Sequence, residues 1–112
     1  MPLAAGSLTR RIAIERFMVE KDRNNNDVPT WIEIASVRAA YTPVSDGETF
    51  RAGERAGSGL ARFVIRHSSA VASVGPSDRL RFEGRVFEIL GAKEYEGHRV
   101  GIELTAVARA DG

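Results

Sequence analysis

Few residues in this sequence have the types and spacing that support chemistry. His67 and His98 are the only histidines, and the chain has no cysteine. The two histidines fall in different predicted elements, and neither has a second ligand at metal-site spacing. Ser68 follows His67 directly, but adjacency in sequence is not the geometry of a catalytic triad. We therefore expect no enzymatic activity, no metal site and no cofactor.

Arginine side chains offer a second kind of chemistry, which is contact with phosphate groups. Five of them fall on three predicted strands: Arg62, Arg66, Arg79, Arg81 and Arg85. If those strands lie side by side, the arginines form a basic patch. Acidic residues interleave with them, and the formal net charge of the chain is only +1. This pattern supports an alternative function, that of a small β-barrel nucleic-acid-binding module.

The stretch Pro43–Gly59 differs from the rest of the chain. It carries four of the 11 glycines, and Phe50 is its one large apolar residue after Val44. A connection this long and polar inside a small domain is typical of a functional or disordered loop. Ser45 and Glu48 have the spacing of a helix capping box, so a short helix is the alternative to an irregular loop.

Apolar alternation predicts the elements that must position this loop. It indicates six strands: Arg10–Glu20, Trp31–Thr42, Leu60–His67, Arg79–Phe82, Arg85–Leu90 and Val100–Ala108. Glu83-Gly84 is a two-residue hairpin turn, which sets Phe82 opposite Arg85 and Leu80 opposite Phe87.

The first two strands carry two further signals. The apolar phase changes after Ile14, where Phe17 and Val19 continue on the other face, and this predicts a bulge or bend near Arg16. Trp31 shares its phase with the apolar residues that follow it, and we expect it to be a core aromatic.

These elements predict an all-β fold, a small antiparallel β-barrel or sandwich of about six strands. At 112 residues the chain is expected to be one domain, residues 1–112, with a loose arm at 1–7 and the long loop at 43–59. The runner-up is an α+β sheet on which Pro43–Gly59 packs as a helix. No apolar run has the length of a membrane span, and no secretion signal is evident, so we expect synthesis in the cytoplasm.

A series of short motifs runs from Leu8 to Leu104. It begins with L-x-x-R-I at Leu8, and Trp31 follows a polar turn. V-x-A-x-x-x-P-V-S-x-G-E starts at Val37, F-x-I-R at Phe63, and R-x-x-F-x-G-R-x-F-x-I at Arg79. In this order and spacing the motifs resemble those of the head–tail joining (head-closure, or stopper) proteins of tailed bacteriophages and gene transfer agents.

The resemblance implies a β-barrel that assembles as a dodecameric ring in the neck of a virion, made in the bacterial cytoplasm. The ring would contact portal or adaptor proteins above and tail proteins below, with no membrane partner. Packaged double-stranded DNA would pass through its channel. In such proteins a long loop closes the channel after packaging and opens at ejection, and Pro43–Gly59 matches that loop.

On this reading, Phe50 supplies an apolar contact between loops, and charged neighbours supply polar ones. The candidate contact residues are Ser45, Asp46, Glu48, Phe50, Arg51, Glu54 and Arg55. They sum to a charge near zero, which keeps the loop from adhering to passing DNA because phosphate affinity depends on Lys and Arg.

Overall fold

A computed structural model describes residues 5–44 and 59–109. Over these residues the chain forms six strands and a single turn of 3-10 helix, Ala5–Ser7. The strands are β1 Arg10–Lys21, β2 Asp27–Pro43, β3 Leu60–Arg66, β4 Asp78–Phe82, β5 Arg85–Tyr95 and β6 Gly101–Ala108. The all-β prediction is confirmed. The 3-10 turn falls within the predicted N-terminal arm, and no helix in the described part of the chain could span a membrane.

The strands close into a barrel in the order β1-β2-β3-β6-β5-β4, and every pairing is antiparallel. Because the sheet closes on itself, it is a barrel and not a sandwich. The α+β alternative finds no support in the described ranges, whose only helical residues are the Ala5–Ser7 turn. Residues 45–58, where a short helix was the alternative, lie outside the described residues.

Alternate side chains of every strand fill the barrel, as the periodicity predicted. The buried core comprises Ile12, Ile14, Ala39, Ala61, Phe63, Ile65, Val71, Val74, Leu80, Phe82, Phe87, Ile89, Ile102, Leu104 and Ala106. Val71 and Val74 belong to the β3–β4 connection, which packs into the barrel. The predicted hairpin is confirmed, since Leu80 pairs with Phe87 and Phe82 with Arg85.

Strand direction gives the barrel two distinct ends. At the first, here the loop end, lie both termini of the barrel, the β4–β5 turn and the β2–β3 connection. At the second, the hairpin end, lie the β1–β2, β3–β4 and β5–β6 connections. Glu83 and Gly84 in the β4–β5 turn have φ values of 51° and 78°, the left-handed pair that a type I′ turn requires.

Two strands are longer than the sequence indicated. β2 begins at Asp27 and not at Trp31, because the β1–β2 ladder continues to the pair Lys21–Asp27. Polar residues and Pro29 are tolerated there since that part of β2 pairs with β1 alone and has solvent on its other edge. β5 continues past Leu90 to Tyr95, beyond an irregularity in its pairing with β6.

A bulge separates the barrel part of the β1–β2 ladder from its outer part. Ile14 pairs with Ala35 and Glu15 with Glu33, so Ile34 is an extra residue in β2. This confirms the irregularity predicted near Arg16. The bulge turns Trp31 to the outer face, where it is 36% exposed, so the prediction of a core tryptophan is wrong.

Candidate functional site

The seven candidate contact residues of the loop, Ser45, Asp46, Glu48, Phe50, Arg51, Glu54 and Arg55, lie outside the described residues. The structure describes instead how the barrel holds the two ends of this segment. Pro43 pairs with Ala61 at the last position of the β2–β3 ladder. The amide of Val44 then donates to the Leu60 carbonyl at 3.1 Å. Both ends of the segment therefore start from neighbouring points at the loop end.

Gly59 fastens the second end of the segment to a third strand. The amide of Ala108 donates to the Gly59 carbonyl at 3.0 Å. A Cβ atom at Gly59 would lie 2.7 Å from the Cβ of Ala108, a distance that no side chain tolerates without movement. Only glycine fits this close approach between the segment and β6.

A small apolar cluster lies beside these anchors. Leu60 and Val107 occupy outward positions of β3 and β6, yet each is only 6% exposed, and Val44 packs against them. Burying large apolar side chains contributes roughly 1.5–3 kcal/mol each. The ends of the segment are thus held by packing as well as by backbone hydrogen bonds.

An aromatic cluster supports the loop end from inside the barrel. Tyr41, Phe63, Phe82 and Phe87 pack with ring centroids between 4.7 and 6.0 Å apart. The Arg10 guanidinium caps the cluster at 4.9 Å from the Phe82 ring centroid and also pairs with Glu83. The loop end is therefore a rigid platform.

The hairpin end carries the largest exposed apolar surface among the described residues. Beyond the bulge, residues 15–33 form the distal hairpin, and β1 has no partner other than β2 after Arg16. Five of its apolar side chains are between 36% and 57% exposed: Phe17, Met18, Val19, Val28 and Trp31. Phe17 and Trp31 form an edge-to-face pair with centroids 5.5 Å apart. This concentration of exposed apolar groups makes the distal hairpin a candidate interaction surface.

A partly buried ion pair fixes the base of the distal hairpin. Arg16 donates from Nε and Nη2 to the two carboxylate oxygens of Asp78, at 2.9 and 3.1 Å. The Asp78 side chain is 2% exposed and also accepts from the Gly75 amide at 3.1 Å. These hydrogen bonds, and the charge of Asp78, raise the pKa of Arg16. Arg16 also donates to the Ser73 hydroxyl, which ties the hairpin to the β3–β4 connection.

The basic patch considered from the sequence does not form. In the closed strand order β3 and β4 are opposite each other, so Arg62 and Arg66 lie across the barrel from Arg79 and Arg81. Arg79 is also paired, since its Nε donates to Glu15 at 2.6 Å. The patch required β3 to lie beside β4, and the closed strand order of the barrel separates these two strands.

Both histidines line one open groove at the hairpin end, with a volume of about 260 Å³. His98 is exposed, and its Nδ1 lies 3.8 Å from a carboxylate oxygen of Glu94. Within residues 5–44 and 59–109, no three His, Asp or Glu side chains converge as a metal site would require. The groove therefore has no ligand set for a metal within the described ranges.

Sequence reasoning missed the distal hairpin as a surface. The signal for it was present, because the phase change at Phe17 and Val19 precedes the polar turn Asn24-Asn25-Asn26. A two-stranded ribbon outside the barrel has no core of its own, so apolar residues on it remain exposed whichever face they occupy.

These features define the class of the protein as a small closed β-barrel with a projecting hairpin and an anchored long connection. A family model described as phage head completion protein matches residues 3–109. The chain belongs to the phage head completion protein family and is a structural component of a virion.

Two solved structures share the fold of this chain. The solution structure of protein SF1141 from Shigella flexneri 2a has a TM-score of 0.73 and 23% identity, covering 98% of this chain and 100% of that one. A chain in the virion of a native gene transfer agent particle has a TM-score of 0.61 and 24% identity, covering 88% and 92%. At these identities the likeness establishes the fold. No curated protein sequence matches the chain.

Proposed function

We propose that this chain is a neck component of a tailed phage or gene transfer agent particle, forming a ring between the portal or adaptor and the tail. In this proposal Pro43–Gly59 closes the DNA channel after packaging. Membership in the head completion family supports a place at the opening of the head. The similar barrel found in a gene transfer agent virion supports the same setting. The role is structural and requires no catalysis.

The observation that carries the proposal is the anchoring of both ends of the segment at the loop end. Val44 and Leu60 are joined by a backbone hydrogen bond of 3.1 Å, and Gly59 is joined to Ala108. A channel gate needs a fixed base, because a loop whose attachment moved could not meet its neighbours in register. The aromatic cluster and the Val44–Leu60–Val107 contacts supply that base.

Ring symmetry would strengthen a gate that is built from weak contacts between neighbouring loops. A contact between neighbouring loops repeats around a closed ring, so a small energy per contact becomes a large energy for the gate. We assign Phe50 the apolar contact and Glu48, Arg51, Glu54 and Arg55 the polar contacts between loops. In the sequence Ser45 and Asp46 directly follow Val44, and we assign them to the contacts between loops as well.

The distal hairpin is the surface that we assign to neighbouring proteins of the neck. Its exposed Phe17, Val19 and Trp31 share one face of the ribbon. Aromatic and large apolar side chains are the groups on which protein interfaces depend most. Because the hairpin and the segment 45–58 are attached at opposite ends of the barrel, one subunit can hold a partner and close the channel at once.

Deletion of Asp46–Ser58 tests the gate. The deletion leaves Ser45 and Gly59 as a two-residue turn between Val44 and Leu60, which are already paired. Two residues suffice for an antiparallel hairpin, so the barrel should fold. We expect particles that assemble but lose packaged DNA, measured as nuclease-protected DNA per particle. Particles that retain their DNA normally would refute the gating role.

A second variant separates the chemistry of the segment from its length. Replacing residues 46–58 with a Gly/Ser segment of equal length keeps the reach of the loop but removes its contact side chains. We expect the same loss of DNA. Normal retention of DNA in this variant would rule out the roles assigned to Phe50 and its charged neighbours. The neck position is tested separately, by immunolabelling of the head–tail junction.

A further inference from the structure

Three arginines form one row across β1, β2 and β3 on the outside of the barrel. Arg11 and Arg38 are directly opposite each other in the β1–β2 ladder. Ala39 pairs with Ile65 at the end of the antiparallel β2–β3 ladder, so Arg38, one residue before Ala39, and Arg66, one residue after Ile65, occupy the next opposing positions. All three side chains are exposed. Sequence spacing gives no hint of this row, because its members are 27 and 28 residues apart.

The row concentrates positive charge without local compensation. Cross-strand neighbours have Cβ atoms about 5 Å apart, and like charges in such positions destabilise a sheet. Among the described residues, none of the three is seen paired with a carboxylate, and the polar contact of Arg11 is with the Ser36 hydroxyl at 3.4 Å. On β6, Glu103 lies opposite Val64 and contacts Arg62 and Lys93, and in the β4–β5 turn Glu83 is paired with Arg10.

Along β1, β2 and β3 themselves, the positions that flank the row are uncharged. The outward positions two residues before and after each arginine are Thr9, Ala13, Ser36, Ala40, Val64 and Ser68. Short side chains there leave the guanidinium groups accessible to a bulky ligand. The row is therefore an isolated basic strip on a chain whose formal net charge is only +1.

A surface groove lies along this strip. Its volume is about 380 Å³, and all three arginines line it. Ser36, His67 and Ser68 line it as well and add hydrogen-bond donors. The groove thus presents donors to a ligand and no carboxylate that would repel an anion.

We propose that this strip, Arg11, Arg38 and Arg66, binds the phosphodiester backbone of double-stranded DNA. Three guanidinium groups on adjacent strands extend over about 10 Å, twice the strand spacing. A duplex presents one negative charge per ~1.7 Å of its axis, so it offers several phosphates over that length. Arginine is suited to phosphate because its planar fork donates two parallel hydrogen bonds.

The strip makes no contact that would read a base sequence. Its three basic groups come from strand positions on the barrel wall, and no α-helix among the described residues lies beside them to enter a groove of the duplex, so they contact the backbone. Binding should therefore be independent of sequence and strongly dependent on salt. This inference does not rest on the gating role proposed for Pro43–Gly59, since the strip lies on the described barrel wall.

The test is a titration of a fluorescent 30-base-pair duplex with the full chain, followed by anisotropy between 25 and 200 mM NaCl. The variants are the double substitution Arg38→Gln with Arg66→Gln and the matched control Arg23→Gln with Arg85→Gln. The control removes two exposed arginines outside the strip, one in the β1–β2 turn and one at the start of β5. We expect the strip variant to bind at least tenfold more weakly and its salt slope to fall by about two.

Folding gives a second readout for the same variants. Removing like charges from opposing positions should raise the midpoint of denaturant unfolding slightly for the strip variant. A purely structural role for the arginines would lower it. Failure of the native chain to bind DNA at 25 mM NaCl would overturn the inference, as would equal weakening by the control pair.

A competition experiment identifies the anion. Unlabelled duplex should displace the labelled duplex at far lower charge concentration than polyglutamate. Equal displacement by polyglutamate would mean that the strip recognises carboxylates of a protein surface, and the assignment to DNA would be wrong. Because this assay uses the isolated chain, its failure would leave the neck role and the gate untouched.

Discussion

The loop end and the hairpin end of the barrel are stabilised by different means. At the loop end, aromatic rings fill the interior and the long segment is tied down by backbone hydrogen bonds at Val44 and Gly59. At the hairpin end, a polar lock of Arg16 and Asp78 holds a ribbon whose apolar side chains face solvent. This fold therefore keeps a closely packed base under its candidate gate and leaves its candidate docking surface uncovered.

Replacing one aromatic residue at each end should give the largest difference in the free energy of unfolding between the loop end and the hairpin end. Phe63 is fully buried and touches three other rings, so Phe63→Ala should cost about 3–5 kcal/mol of unfolding free energy. Trp31→Ala removes a partly exposed ring and its contact with the Arg79 guanidinium at 4.2 Å, and should cost about 1 kcal/mol. Denaturant unfolding of both variants measures the difference, and equal losses would contradict it.

The polar lock of Arg16 and Asp78 should contribute more to the free energy of unfolding than any other single interaction at the hairpin end. Asp78→Asn keeps the shape of the side chain but removes the charge that Arg16 and the Gly75 amide contact. We expect a loss of about 2 kcal/mol in the free energy of unfolding.

The matched control for the lock is Asp27→Asn at the tip of the hairpin. Asp27 pairs with Lys21, but both side chains are more than half exposed. Loss of this ion pair should change the free energy of unfolding by less than about 0.5 kcal/mol. A cost for Asp27→Asn as large as that for Asp78→Asn would show that burial does not decide the strength of these pairs.

Gly59→Ala tests the tie between the loop segment and β6. The added methyl group would meet the Cβ of Ala108 at 2.7 Å, so we expect a loss of about 1–2 kcal/mol. Ala108→Gly in the same chain should restore part of that loss by making room. Gly75→Ala is the control, because nothing lies within 4 Å of its position. Ala108→Gly alone completes the double-mutant cycle, so thermal unfolding of the five chains gives the coupling, and an absence of rescue would disprove the steric explanation.

The smallest effect on stability is expected for the distal hairpin surface. Val19 is 57% exposed, so Val19→Ser should change the free energy of unfolding by less than about 0.5 kcal/mol. The same change should reduce incorporation of the chain into particles, measured by quantitative immunoblotting of purified virions. Leu90→Ser, which removes an apolar residue exposed on the barrel wall, is the matched control. Equal incorporation of the two variants would argue against the hairpin as a docking surface.

Local sequence patterns were sufficient to predict much of the fold. The type I′ turn at Glu83-Gly84 sets the pairing of Leu80 with Phe87, and both signals lie within a few residues. Strand alternation located the strands β3 and β6, whose alternating apolar residues Phe63, Ile65 and Leu104 are buried. The motif series also led to the family that the chain belongs to. The seven loop residues remain predictions, because they lie outside the described part of the chain.

The sequence by itself determined the strands, the hairpin turn and the position of the long connection, because period-two alternation and turn chemistry are properties of neighbouring residues. Only the tertiary structure decided closure, and closure placed Arg62 opposite Arg79 and brought Arg11, Arg38 and Arg66 into one row. The tertiary structure also decided the orientation of Trp31, because the extra residue Ile34 in β2 turns that side chain out of the core. Strand order and register depend on residues far apart in the chain, and no local pattern contains them.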